Sequence, residues 1–163
     1  GNSGTEVARA AAAMVLTDDN FATIEAAVEE GRGVFDNLVK VIVWILPTNL
    51  GEALILLVSI LLGLPLPALP LQLLWVNLTD TLLGLPLAFE PTDPGAMRRP
   101  PRPPGRPLLT RALLMRTGLV SLAMLAGGIG LFLWELHVAH ASLAAARTAV
   151  VNLVVLVEAV YLS

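Results

Sequence analysis

Three carboxylic acids stand inside long apolar stretches of this 163-residue sequence. Glu52 lies near the middle of residues 41–62, Asp80 lies near the middle of residues 71–89, and Glu158 lies in the last apolar stretch. An acidic side chain near the centre of a bilayer costs about 2.5–3.5 kcal/mol, so such residues face the interior of a helix bundle and have partners there. The sequence therefore predicts a buried acidic site.

Polar side chains accompany two of these acids at helical spacing. Asn49 and Asn77 precede Glu52 and Asp80 by three residues, and Thr79 adds a hydroxyl group. Residues three apart are neighbours on a helix surface, so two facing helices can present a cage of oxygen atoms. Such a cage suits a hard cation, with Ca²⁺ first and Na⁺ or K⁺ as alternatives. The predicted metal ligands are Asn49, Glu52, Asn77, Thr79, Asp80 and Glu158.

Three acids at this depth, without Lys or Arg beside them, cannot neutralise one another. A cation or bound protons must complete the site, and both fit a transporter that exchanges cations for protons. The alternative is a protonated acid that is hydrogen-bonded between helices for packing, and this applies to Glu158 above all. Glu135, His137 and His140 could bind a metal or sense pH, or could form a solvated loop. No catalytic and no cofactor-binding residue is assigned.

The composition indicates a membrane protein. Hydrophobic residues make up 56% of the sequence and charged residues 14%, and the mean hydropathy is +0.77. The net charge of -3 gives no basic footprint for nucleic acid. We predict a mainly α, polytopic bundle of about four transmembrane helices, embedded in membrane lipid, with spans at residues 41–62, 71–89, 117–134 and 148–162. The last span covers only about 22 Å, which suggests truncation.

The remaining segments are predicted to be cytoplasmic. Residues 1–20 are polar, and residues 21–40 have the apolar spacing of an amphipathic stalk helix, with Asp19 or Asn20 as its cap. No Pro separates this helix from the first span, so it can continue into the membrane. The positive-inside rule orients the protein. The basic residues that decide this lie ahead of the first span or in loop 90–116, and they are Arg32, Lys40, Arg98, Arg99, Arg102, Arg106, Arg111 and Arg116.

Four ordered strings resemble one family of ion pumps. Gly-Thr-Glu-Val-Ala at 4–8, with Met-Val-Leu-Thr-Asp-Asp-Asn-Phe at 14–21, is similar to the end of the phosphorylation domain of type II P-type ATPases, the family of the calcium and sodium/potassium pumps. Pro-Thr-Asn-Leu-Gly-Glu at 47–52 resembles the fifth membrane helix of the family. Leu-Leu-Trp-Val-Asn-Leu-Thr-Asp at 73–80 resembles its sixth, and residues 97–102 resemble the loop that follows.

The resemblance implies a C-terminal piece of a calcium-pump-like enzyme, from a HAD-like phosphorylation domain with a small α/β remnant at 1–20 through membrane helices five to eight at 41–163. It implies ATP-driven cation transport through an aspartyl-phosphate. ATP and Mg²⁺ would bind elsewhere in the same polypeptide, because the family's Asp-Lys-Thr-Gly string is not in this sequence. It also implies that Asn49, Glu52, Asn77, Thr79 and Asp80 match ion ligands, with Glu158 as a further acid. A multi-pass position in a bacterial plasma membrane is expected.

One departure from the family pattern concerns the sixth helix. Asn77 and Asp80 are three residues apart, where the calcium pumps have four, and this rotates one ligand by about 100° relative to the other. The shortening argues against the two-ion calcium geometry. The alternative to a pump is a standalone multi-pass protein, an ion-binding accessory or channel-like subunit without ATPase activity.

Overall fold

The computed structural model describes residues 4–18, 20–103 and 108–162. Within these ranges the chain is helical and has no strand. Four helices are long and apolar enough to cross a membrane, which confirms the predicted polytopic bundle. The elements are α1 (Glu6–Ala11), α2 (Ala22–Leu61), α3 (Pro70–Ala88), a 3-10 turn (Ala96–Arg98), α4 (Arg111–His137) and α5 (Leu143–Leu162).

The segment ahead of α2 holds one short helix. The Thr5 hydroxyl accepts the Ala8 N–H and caps α1, after which residues 12–18 are irregular. Of the two predicted caps of α2, Asp19 lies outside the described residues, as does Arg106 in the later loop. The Asn20 side chain accepts the Ala22 N–H at 3.1 Å. The assignment of residues 1–20 to a phosphorylation domain stays a prediction.

Asp18 fixes the turn that leads into α2. Its carboxylate accepts the Thr23 hydroxyl at 2.6 Å and the Asn20 N–H at 3.1 Å. These bonds, with the one from Thr23 foremost, lower the pKa of Asp18 below its ordinary value, because they favour the ionised form. The carboxylate therefore stays charged, and the turn stays closed, to a lower pH than an unpartnered aspartate would allow.

α2 joins the predicted stalk and the first predicted span in one helix. Its 40 residues correspond to about 60 Å, twice the thickness of a hydrocarbon core. Pro47 lies inside this helix and cannot donate a backbone hydrogen bond to Val43. The neighbouring backbone is tied to α4, because the Ser121 hydroxyl donates to the Pro47 carbonyl oxygen at 2.8 Å. The proline is thus held in a buried, packed position.

We call the end of the bundle that carries residues 89–103 the basic end, and the end that carries residues 62–69 the opposite end. At the basic end the loop is tied to α2 by two arginines. Arg32 donates to the carbonyl oxygens of Ala96 and Arg99 at 2.6 and 2.7 Å. The Arg99 guanidinium in turn lies 2.6 Å from the Asp36 carboxylate. We call these bonds, with those described next, the stalk–loop contact.

The rest of the stalk–loop contact lies closer to the membrane-spanning part of α2. The buried Asn37 amide donates to the Glu90 carbonyl oxygen at 2.7 Å, and the Lys40 ammonium pairs with the Glu90 carboxylate. Further along the loop, the Arg102 guanidinium lies over the Phe35 ring, 4.3 Å from its centroid. The described part of the proline-rich loop therefore packs on the stalk helix.

Glycines allow α2 and α4 to approach closely. A Cβ atom added at Gly51 would lie 2.6 Å from the Met124 sulfur, and one added at Gly128 would lie 2.6 Å from the Ile55 Cδ1 atom. Real Cβ atoms do not approach neighbours this closely, so the two helices meet where these side chains are missing. The contact places α4 directly against the part of α2 that carries Glu52.

The last helix extends beyond the predicted last span, residues 148–162. α5 begins at Leu143, so its 20 residues cover about 30 Å, the thickness of a hydrocarbon core. The cause is Arg147, whose charge interrupts the apolar pattern. Its guanidinium reaches out of the helix and donates to the Leu66 carbonyl oxygen at 2.8 Å, at the opposite end.

We expect Gly128→Ala to destabilise the full-length protein by about 1–3 kcal/mol, because its methyl group would overlap Ile55, which is buried in the core. The measurement is the thermal unfolding midpoint in detergent. Gly130→Ala on the same helix is the matched control, since nothing lies within 4 Å of its Cβ position. Equal midpoints for the two variants would contradict this packing of α2 on α4.

Candidate ion-binding site

Three helices each bring one carboxyl group into the bundle. Glu52 on α2 is 9% exposed, Asp80 on α3 is 3% exposed, and Glu158 on α5 is fully buried. On α5 the buried residues recur every fourth position, which is the spacing of one helix face. That face consists of Ala146, Val150, Val154 and Glu158, so the acid ends an otherwise apolar stripe.

Glu52 and Glu158 converge although their backbones lie at different depths. The Trp44 indole N–H donates to the Glu158 carbonyl oxygen at 3.1 Å, so the Glu158 backbone lies nearer the basic end than Glu52 does. Side chains tilt toward the start of their own helix. Because α2 and α5 run in opposite directions, the two side chains tilt toward each other, and the two carboxyl groups are close enough to interact.

A hydrogen bond between these two carboxyl groups requires a proton, because an ionised carboxylate only accepts. When both are ionised, no described group donates to either Glu158 oxygen or to Glu52 Oε1, and all three oxygens are buried. Asp80 adds a third negative charge within electrostatic reach of both. The cluster thus needs protons or a cation to compensate its charge, as the sequence indicated.

Asn49 connects α2 to α3 at this cluster. Its amide nitrogen donates to Asp80 Oδ2 at 3.2 Å and to the Ile45 carbonyl oxygen at 3.1 Å. The second Asp80 oxygen, Oδ1, is buried and receives no hydrogen bond from any described group. The amide therefore orients the Asp80 carboxylate and leaves one oxygen available to a ligand.

The structure does not bring Asn77 and Thr79 into this cluster. The Asn77 side chain is exposed, and it donates to the Leu73 carbonyl oxygen of its own helix at 2.8 Å. The Thr79 hydroxyl bonds in the same way to the Trp75 carbonyl oxygen at 3.0 Å. Three residues turn a helix by about 300°, so Asn77 points about 60° away from Asp80. This difference of about 60° is enough to direct the Asn77 side chain away from the interior of the four-helix bundle.

The carboxyl groups do not form a complete metal-binding site in this structure. In the described part of the chain, no group of three or more His, Cys, Asp or Glu side chains is arranged to hold a metal ion. The same finding covers Glu135, His137 and His140, of which both histidines are exposed. The donor set of the acidic cluster, carboxylate and amide oxygens, still has the chemistry that hard cations prefer. A cation would have to draw Glu52, Asp80 and Glu158 together.

Sequence reasoning missed several polar groups that are buried inside the bundle. Thr48, Thr117 and Ser121 are 0%, 4% and 1% exposed, and the Thr117 hydroxyl has no described partner. The hydroxyl of Tyr161 is also buried without a described partner, and the Arg116 guanidinium lies over the ring of this residue, 4.8 Å from its centroid. A signal was present on α4, where Thr117 and Ser121 are four residues apart on one face.

Comparison with known proteins shows which family the chain belongs to. Residues 65–162 match the family model described as "Cation transporting ATPase, C-terminus". Over 163 residues the chain is 61% identical to "Probable cation-transporting ATPase F" of Mycobacterium bovis and of Mycobacterium tuberculosis, and 48% identical to "Cation-transporting ATPase pma1" of Synechocystis, with 99% of this chain covered in each case.

The chain belongs to the cation-transporting ATPase family. It corresponds to the C-terminal part of these enzymes and spans 18% of the length of the mycobacterial and Synechocystis relatives. A "Calcium-transporting ATPase" of Bacillus subtilis is 46% identical over 114 residues, which cover 69% of this chain and 13% of that relative. The predicted resemblance is confirmed at the level of the family.

We expect Asn49→Ala to destabilise the full-length ATPase by about 1–3 kcal/mol in the absence of transported cation, because Asp80 would lose the amide that donates to it inside the bundle. The thermal unfolding midpoint measures this. Glu25→Ala is the control and should change the midpoint much less, because that side chain is exposed on the stalk part of the same helix as Asn49. An equal or larger loss for Glu25→Ala would contradict the arrangement described here.

Proposed function

We propose that this chain supplies ion-binding membrane helices of an ATP-driven cation pump, with Glu52, Asp80 and Glu158 as central ligands. The observation that carries the proposal is the convergence of three buried carboxyl groups from three helices, with four of their oxygens lacking a donor among the described residues. Membership of the cation-transporting ATPase family supports it independently.

The transported cation in this proposal is Ca²⁺. Oxygen atoms are the only strong ligands that the cluster offers, and Ca²⁺ accepts about six to eight of them in flexible geometry. The Bacillus subtilis relative is named a calcium-transporting ATPase. The shortened spacing between Asn77 and Asp80 favours one bound ion per cycle over two.

Proton exchange follows from the charges of the cluster. With protons bound, Glu52 and Glu158 share a hydrogen bond, and the electrostatic repulsion among three acids is relieved. A divalent cation that enters the cluster replaces these protons, because its charge compensates the carboxylates directly. Return of protons after the cation leaves restores the neutral cluster. Cation and proton transport are thereby linked through the same oxygens.

The exposed polar face of α3 favours a cluster that is completed by other parts of the polypeptide. Asn77 and Thr81 are four residues apart on one exposed side of α3, near the level of Asp80, on a helix that crosses the membrane. Polar groups do not face lipid at this depth without cost. We assign this side to contact with further membrane helices of the pump, where Asn77 can join the coordination shell, and Thr79 would join it from the other flank of Asp80.

Energy coupling runs through α2 in this proposal. ATP and Mg²⁺ bind in parts of the polypeptide outside this sequence, where an aspartyl-phosphate forms. The cytoplasmic end of α2 receives the resulting movement and passes it along one continuous helix to Glu52. The stalk–loop contact, with Arg32 and Arg99 at its centre, makes the loop after α3 follow the same movement. The pump would sit in a bacterial plasma membrane with residues 1–40 in the cytoplasm.

We expect Glu52→Gln and Asp80→Asn in the full-length pump to abolish cation-dependent phosphorylation from ATP, because each removes a charge that the cation requires. The measurement is incorporation of labelled phosphate over a range of cation concentrations. Glu25→Gln is the matched control, since Glu25 is exposed on the stalk part of the same helix as Glu52. Unchanged cation dependence in both acidic variants would remove these residues from the site.

A further inference from the structure

Trp44 differs from the other two tryptophans of the chain. Trp75 and Trp134 are 63% and 52% exposed, as expected for side chains that face lipid or its interface. Trp44 is 3% exposed, and its indole N–H is hydrogen-bonded to the Glu158 carbonyl oxygen at 3.1 Å. A large side chain on α2 is therefore bound to the backbone of α5 at the residue that carries a buried acid.

The other edge of the Trp44 indole lies against α3. A Cβ atom added at Gly84 would lie 2.8 Å from Cζ3 and 3.4 Å from Cε3 of this ring. The ring thus occupies the space that any side chain at position 84 would need. We call the space beside Gly84 the notch. Gly84 follows Asp80 by four residues, so the notch lies about one helical turn from this second buried acid.

One rigid side chain therefore touches all three helices that carry the acids. It belongs to α2, it is hydrogen-bonded to α5 at Glu158, and it fills a notch on α3 one turn from Asp80. The indole has only two rotatable bonds, and a buried ring in a close-packed interior has no alternative place to go. Its position relates the backbone of α5 to the backbone of α3.

We propose that Trp44 is a positioning residue that sets the distance between the carboxyl groups of Glu158 and Asp80, and through it the affinity for the transported cation. This inference rests on the proposed function, in which both acids are ligands. Trp44 itself does not touch the ion. It fixes the spacing of the two helices from which Glu158 and Asp80 reach toward the site.

The test uses the full-length pump and two variants with different effects on this junction. Trp44→Phe keeps an aromatic ring but loses the N–H donor and the outer ring edge. We expect it to raise the cation concentration for half-maximal phosphorylation about three- to tenfold, the range that corresponds to the loss of one hydrogen bond, while the maximal phosphorylation level stays the same. Gly84→Ala should shift the half-maximal concentration in the same direction, because the methyl group displaces the ring.

The double variant Trp44→Phe/Gly84→Ala distinguishes this junction from general damage. The smaller phenyl ring vacates the space at Gly84, so the double variant should be no worse than Trp44→Phe alone. Additive effects of the two changes would overturn the proposal. Trp134→Phe is the matched control and should leave the half-maximal concentration unchanged, since its indole is exposed and distant in sequence from the acids.

The variant Glu158→Gln distinguishes a failure of the proposed ion site from a failure of the positioning role of Trp44. If it weakens cation dependence while Trp44→Phe behaves like Trp134→Phe, the positioning role is wrong and the proposed ion site stands. If Glu158→Gln leaves cation dependence unchanged, Glu158 is not a ligand, and both the ligand assignment and the role of Trp44 are overturned. A shift for Trp44→Phe together with a shift for Glu158→Gln supports both.

Discussion

Burial of three acidic side chains in a membrane-spanning bundle is the constraint on which the rest of this structure depends. Glu52, Asp80 and Glu158 come from three helices, and their free oxygens find no donor among the described residues. Such an arrangement persists only if protons or a cation compensate the charge. Three contacts hold the helices around this cluster. They are the close approach of α2 and α4 at Gly51, the hydrogen bond from Asn49 to Asp80, and the packing of Trp44 against α3 and α5.

The same constraint explains why α2 is the central element. It contacts α3, α4 and α5, it carries Glu52, and it continues without a break into the stalk that packs on the loop of residues 89–103. In the proposed function, this continuity is what carries movement of the stalk to Glu52. The short irregular segment after α1, with Asp18 closing its turn, leads directly into this helix.

Hydropathy and spacing predicted the four helices and the acids that converge, because burial in lipid leaves a long apolar pattern that few side chains can interrupt. Arg147 shows where the hydropathy signal fails. A long charged side chain can extend away from an apolar helix and form a hydrogen bond near the helix end, as Arg147 does with the Leu66 carbonyl oxygen. Asn77 shows a second limit. Spacing indicates which residues share a face, but which face is covered depends on neighbouring helices. The role of Trp44 required coordinates, because nothing in the sequence distinguishes it from Trp75.

The most direct measurement is a structure of the full-length pump with Ca²⁺ bound, in which the ion is located by its anomalous scattering. The account predicts a peak between α2, α3 and α5, within coordination distance of Glu52, Asp80 and Glu158, with these carboxyl groups closer together than in the structure described here. A peak elsewhere in the membrane, with none of the three carboxyl groups within coordination distance of it, would contradict it.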